Sequence, residues 1–137
     1  MPARAPRTIR HPERHEQNAI RGLLATLGAK VYVLGTTRKK GDYAGTMQTP
    51  GLPDLIAFLP WDGERDLTRT LLVIECKAKG GRLRPEQAEF MVMCLEAAVH
   101  HVVGGLDDVI AWLVQHGYVK ADSVPHYRLP KNLQERP

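Results

Sequence analysis

Residues 49–58, TPGLPDLIAF, and residues 71–79, LLVIECKAK, are the two stretches on which the reading of this chain turns. Each ends or begins in a short apolar run, the pattern of a buried strand, and ten to twelve residues rich in turn formers separate them, as in a hairpin. Yet the second run carries Glu75 and Lys77, and the first opens on Asp54 directly after a Gly-Leu-Pro turn. Burying ionised groups is costly unless they are paired. Either the pair lies on a solvated edge, or something charged is held there.

Working outward, residues 12–27 have helical spacing: Ala19, Ile20, Leu23, Leu24 and Leu27 recur on one side, and Gly28 is placed as the C-terminal stop. Glu16, four residues before Ile20, falls on that apolar side. KVYVLG (30–35) reads as a strand, and residues 35–51 as a loop with three consecutive basic residues. After the hairpin, Pro85 opens a second helix expected to run to Ala98, with Ala88, Met91, Leu95 and Ala98 as its stripe. VHHVVG (99–104) is a last strand and LDDVIAWLVQHG (106–117) a last helix. The order α-β-β-β-α-β-α predicts an α/β fold with a mixed central sheet flanked by helices, since each apolar face needs a cover. The expected organisation is a basic arm over 1–11, one domain over 12–118 and a mostly irregular tail over 119–137.

Composition agrees with one globular domain: 137 residues, 43% hydrophobic and 25% charged. No apolar segment approaches a membrane span and no secretory signal pattern is present, so a cytoplasmic location is expected. The only cysteines, Cys76 and Cys94, lie inside apolar elements, which argues against a disulfide framework. The net charge of +4 is uneven, with nine basic residues against three acidic ones up to Pro53. Such asymmetry suits a polyanionic partner such as nucleic acid. Arg38, Lys39 and Lys40 in the loop, and Lys79, Arg82 and Arg84 after the Glu75 strand, are the candidate phosphate contacts.

Strand alternation places Val73, Glu75 and Lys77 on one face, and Leu72, Ile74 and Cys76 on the other, apolar one. With Asp54 opening the neighbouring antiparallel strand, both carboxylates reach the same end of the sheet, and Glu16 can approach from the first helix. Carboxylates this close raise one another's pKa unless a cation neutralises them. A hard divalent ion such as Mg²⁺ or Mn²⁺ does so, and it can polarise a phosphoryl oxygen while a nearby ammonium, Lys77, orients water.

The set Pro53-Asp54, twenty residues, then Glu75-Cys76-Lys77 resembles the PD-(D/E)XK nuclease superfamily, whose fold is restriction-endonuclease-like. Within it, GLPDLIAF, LLVIECKAKGGRLRPEQAEF and the closing strand and helix are most similar to VRR-NUC domains of phage and repair nucleases, over about residues 16–117. The resemblance implies a metal-dependent endonuclease, often dimeric, acting on branched DNA including Holliday junctions. It implies Asp54, Glu75 and the Cys76 carbonyl as metal ligands and Lys77 as the catalytic lysine. Glu16 matches an acidic helical position, with a second ion as one use for it, and Gln87 matches a supporting glutamine. Two other classes stay open: a nuclease of nicking, flap or restriction type, and a non-catalytic nucleic-acid binder on the same fold.

Overall fold

A computed structural model describes residues 12–34, 49–61 and 68–123. Its elements follow the expected order: α1 (Pro12–Thr26), β1 (Lys30–Val33), β2 (Leu55–Phe58), β3 (Leu71–Cys76), α2 (Pro85–Glu96), β4 (His100–Gly104) and α3 (Leu106–Gln115). A single 3-10 turn, Ala121–Ser123, follows. Ends differ from the expected ones by a residue or two, as frayed termini do. Gly28 ends α1 in the left-handed region (φ 88°), whereas α2 stops without a glycine, with Ala98 itself taking φ 55°. Among the described residues no helix is long and apolar enough to cross a membrane.

The four strands form one mixed sheet in the order β1-β2-β3-β4. The hairpins β1–β2 and β2–β3 are antiparallel, and β4 returns beside β3 in parallel after the α2 crossover. A parallel neighbour requires such a crossover, which is why a helix must separate β3 from β4 in sequence.

Both faces of the sheet are covered at β3, which lies between two neighbours at its centre. Leu72, Ile74 and Cys76 of β3 join Ile20 and Leu24 of α1 and Val109 and Leu113 of α3 in the main core. Val73, on the opposite face, packs with Met91 and Cys94 of α2 in a second, smaller core. Burial on both faces explains why LLVIEC is a nearly unbroken apolar run rather than an alternating one. Glu75 is 2% exposed, so it does not lie on a solvated edge.

The stripe expected on α2 requires correction. Its buried residues are Gln87, Met91 and Cys94, while Leu95 is 72% exposed and Ala98 lies beyond the helix end. The inward face is therefore rotated by about one residue, because Gln87 is drawn inward by a polar partner rather than left outside as its type suggests. Tyr118 and Val119 pack against the main core.

Candidate metal and catalytic site

The register of the two central strands builds the site. Leu55 pairs with Ile74, so Asp54, the residue before, falls opposite Glu75 at the C-terminal end of β3. Asp54 is fixed by backbone contacts on both sides. Its carbonyl accepts from the Leu34 N–H at 2.9 Å, extending the β1–β2 ladder. Its Oδ2 accepts from the Cys76 N–H at 2.7 Å.

The turn before it explains the Gly-Leu-Pro sequence. Gly51 takes φ 94°, and a Cβ there would lie 2.5 Å from the Glu86 carbonyl oxygen on α2. Only glycine lets this turn lie against the start of α2. Pro53 is then fully buried, which fixes the approach to Asp54.

Glu75 is held by α2. The Gln87 Nε2 donates to Glu75 Oε1 at 2.8 Å, and Gln87 Oε1 accepts from the Arg84 N–H at 2.9 Å. This second bond fixes which way the amide faces, so that its NH₂ points to the carboxyl group. Glu75 Oε2 is buried and receives no hydrogen bond from any donor among the described residues, while a carboxyl–carboxyl hydrogen bond links Glu75 to Asp54 when one of them is protonated. Burial first, and then the charge of Asp54, raise the Glu75 pKa from 4.5 to about 7, against the lowering effect of Lys77. Two carboxyl groups so placed must share a proton or a cation.

Lys77 supplies part of that cation. Its Nζ lies 3.7 Å from Glu75 Oε1 and 3.3 Å from Glu13 Oε1. Lys77 is mostly enclosed, and its N–H donates to the Gly104 carbonyl at 2.9 Å, continuing the β3–β4 pairing beyond the strand. Glu13 was not singled out from sequence. The signal available was its position three residues before Glu16 on one helix face, but nothing local says that Lys77 arrives there.

Glu16 occupies a different place from the metal pair. Its Oε2 accepts from the Leu106 N–H at 2.7 Å, satisfying an otherwise unpaired amide at the start of α3. Gly105 permits this contact, since a Cβ there would come within 2.8 Å of the Glu16 carboxyl carbon. Asp108 completes the cap by accepting from the Gly105 N–H at 2.9 Å. Glu16 thus ties α1 to α3 and, with Lys77, Lys79 and Gly105, lines a cleft of about 380 Å³.

The residues suit a hard divalent ion better than a softer one. Among the described residues no three His, Cys, Asp or Glu side chains gather into a metal-binding group, which is the arrangement a closed zinc site needs. Mg²⁺ instead takes one or two carboxylates and fills its remaining positions with carbonyls, water and phosphate oxygens. Asp54, the Oε2 of Glu75 and the Cys76 carbonyl fit that donor set. Both cysteines are free and buried. Burial and nearby carboxylates push the Cys76 thiol up to about 12, and its side chain packs in the main core on the face opposite Glu75, away from the carboxylates. Of the expected phosphate contacts, Lys79, Arg82 and Arg84 are exposed after β3, and Arg38, Lys39 and Lys40 lie outside the described residues. Compared with family models, curated proteins and solved structures, the chain matches none of them.

Proposed function

We propose that this protein is a divalent-metal-dependent endonuclease that hydrolyses DNA phosphodiester bonds, acting on branched DNA such as Holliday junctions. One observation carries the reading: Asp54, Glu75 and Lys77 converge at one end of the two central strands, around a buried carboxylate oxygen with no donor among the described residues. A fold does not gather a fully buried carboxyl group, a second carboxyl group and an ammonium at one strand end without cost, and a stability role would be served better by apolar side chains. The Asp54–Glu75–Lys77 arrangement is what the PD-(D/E)XK resemblance requires, and the restriction-endonuclease-like fold is part of the same proposal.

Mg²⁺ or Mn²⁺, held by Asp54, Glu75 and the Cys76 carbonyl, would polarise a phosphoryl oxygen and lower the pKa of an attacking water. Lys77, as an ammonium with three donors, orients that water or offsets charge on the phosphoryl oxygens. Glu13 restrains the Lys77 head group from the helix side. Gln87 keeps one Glu75 oxygen occupied, which leaves the other for the metal. Glu16 positions α1 over the site through α3. Lys79, Arg82 and Arg84 lead the DNA backbone away from the strand end. A chain with one such site makes paired cuts across a junction only as a symmetric dimer.

The test is cleavage of labelled single-stranded, duplex, flap and four-way-junction DNA with Mg²⁺, Mn²⁺, Ca²⁺ or chelator, beside a Lys77→Ala variant. Metal-dependent cutting that is strongest on the junction and absent from the variant is the expected result. Binding without cutting in every metal would overturn the enzymatic reading. Cutting by a strict monomer with no preference for branched DNA would overturn the specificity.

A further inference from the structure

The sheet face that carries Asp54 and Glu75 has two unlike halves. Over β3 and β4 it is covered by α2, whose Met91 and Cys94 pack on Val73. Register places Ile56 and Phe58 of β2, and Lys30 and Tyr32 of β1, on this same face: Ile56 pairs with Val73 and with Tyr32, and Phe58 with Lys30. Among the described residues no helix covers this half. Tyr32 is 49% exposed and Phe58 39%, and Trp61, just past β2, is 56% exposed.

These rings are organised. Tyr32 and Phe58 meet edge to face with centroids 5.9 Å apart. The Lys30 ammonium stands 5.7 Å from the Tyr32 centroid, and the Arg69 guanidinium 4.1 Å from that of Trp61. Of the four residues that register places on this half-face, Lys30, Tyr32, Ile56 and Phe58, one is cationic and none is acidic.

We infer that this half-face is a stacking platform for an unpaired, single-stranded segment of the DNA substrate, starting beside Asp54 and leading toward Phe58. The inference rests on the nuclease reading for the identity of its partner. Exposed rings bind single strands because each unpaired base offers a π-face of any sequence, while cations beside the rings follow the phosphates. A duplex keeps its bases stacked on one another and offers such rings little. Continuity with the site is geometric. Asp54, Ile56 and Phe58 project from one face of one strand, so the platform extends about 13 Å from the proposed scissile position. Nucleotides left unpaired at a flap, or freed when the centre of an otherwise fully paired junction opens, are absent from a plain duplex, so the platform supplies the structural preference.

The test measures binding without hydrolysis, in chelator, by anisotropy of a labelled oligothymidylate and of a blunt duplex of equal length. Tyr32→Ala with Phe58→Ala should weaken the single strand roughly tenfold or more for each ring removed. Duplex affinity should change by less than about twofold, because its phosphate contacts lie elsewhere. Tyr32→Phe should retain single-strand affinity, and melting curves confirm that each variant folds. Equal loss on both DNAs, or no loss, overturns the inference. So does a wild-type dimer that the double variant dissolves with single-strand binding unchanged, since the face would then join two copies along β1. A protein that binds single strands through these rings but never cuts defeats only the nuclease reading. One that cuts but ignores the ring substitutions defeats only the platform.

Discussion

Replacing Glu75 by glutamine isolates the buried charge that distinguishes this sheet from an ordinary core. In the metal-free protein the Glu75 pKa is raised from 4.5 to about 7, mainly by burial and then by Asp54. A raised folded-state value means that the native state binds the proton more tightly than the unfolded chain does. Its contribution to stability is therefore full below about pH 4.5 and is lost as pH climbs through 7. At about 1.4 kcal/mol for each pH unit, the loss amounts to roughly 3 kcal/mol by pH 8. Glutamine keeps the shape and can still accept from Gln87, but it does not ionise. Urea unfolding of wild type and Glu75→Gln at pH 4.5 and pH 8, in chelator, measures the difference between the differences. The variant should gain about 3 kcal/mol on the wild type over that interval, a relative midpoint shift of roughly 2 M. Added Mg²⁺ at pH 8 should then stabilise the wild type and not the variant, because only the carboxylate rewards a cation. Parallel pH dependence of the two proteins would refute the reasoning, since Glu75 would then ionise as readily folded as unfolded.

Three further outcomes follow from the same contacts. Gly51→Ala combines a left-handed backbone with a Cβ 2.5 Å from the Glu86 carbonyl oxygen; it should cost at least about 2 kcal/mol in urea unfolding and reduce cleavage beyond that loss by displacing Asp54. Glu16→Ala leaves the Leu106 N–H unpaired and should cost about 1 kcal/mol, with Glu16→Gln restoring most of it. If Glu16→Gln folds normally but abolishes cleavage, its charge is needed at the site and a second ion becomes the better account. Finally, with the Cys76 thiol pushed up to about 12 and Cys94 also raised by burial, neither should react with a disulfide reagent at pH 8 until the chain unfolds. Prompt labelling of either in the native protein would contradict their burial.

The elements themselves were legible because their signals are local. Ile20 and Leu24 repeat at helical spacing, Gly28 and Pro85 mark an end and a start, and the unbroken run 71–76 reads as a strand covered on both faces. The meeting of Asp54 and Glu75 was also accessible, since a hairpin turns a sequence gap of twenty residues into a register. The stripe of α2 was not. Gln87 counts as polar in any pattern, and its inward position depends on Glu75, a partner on another element.

Sequence by itself therefore determined the order of helices and strands, the mixed sheet and the pairing of Asp54 with Glu75, all consequences of periodicity, turn chemistry and one hairpin. Tertiary structure alone decided that Glu13 rather than Glu16 meets Lys77, that Glu16 caps α3, and that one Glu75 oxygen is buried without a donor among the described residues. These depend on how α1 and α3 cross the sheet, and the packing of side chains far apart in sequence sets that. A helix pattern fixes which side faces inward, but only the assembled core fixes which residue stands opposite it.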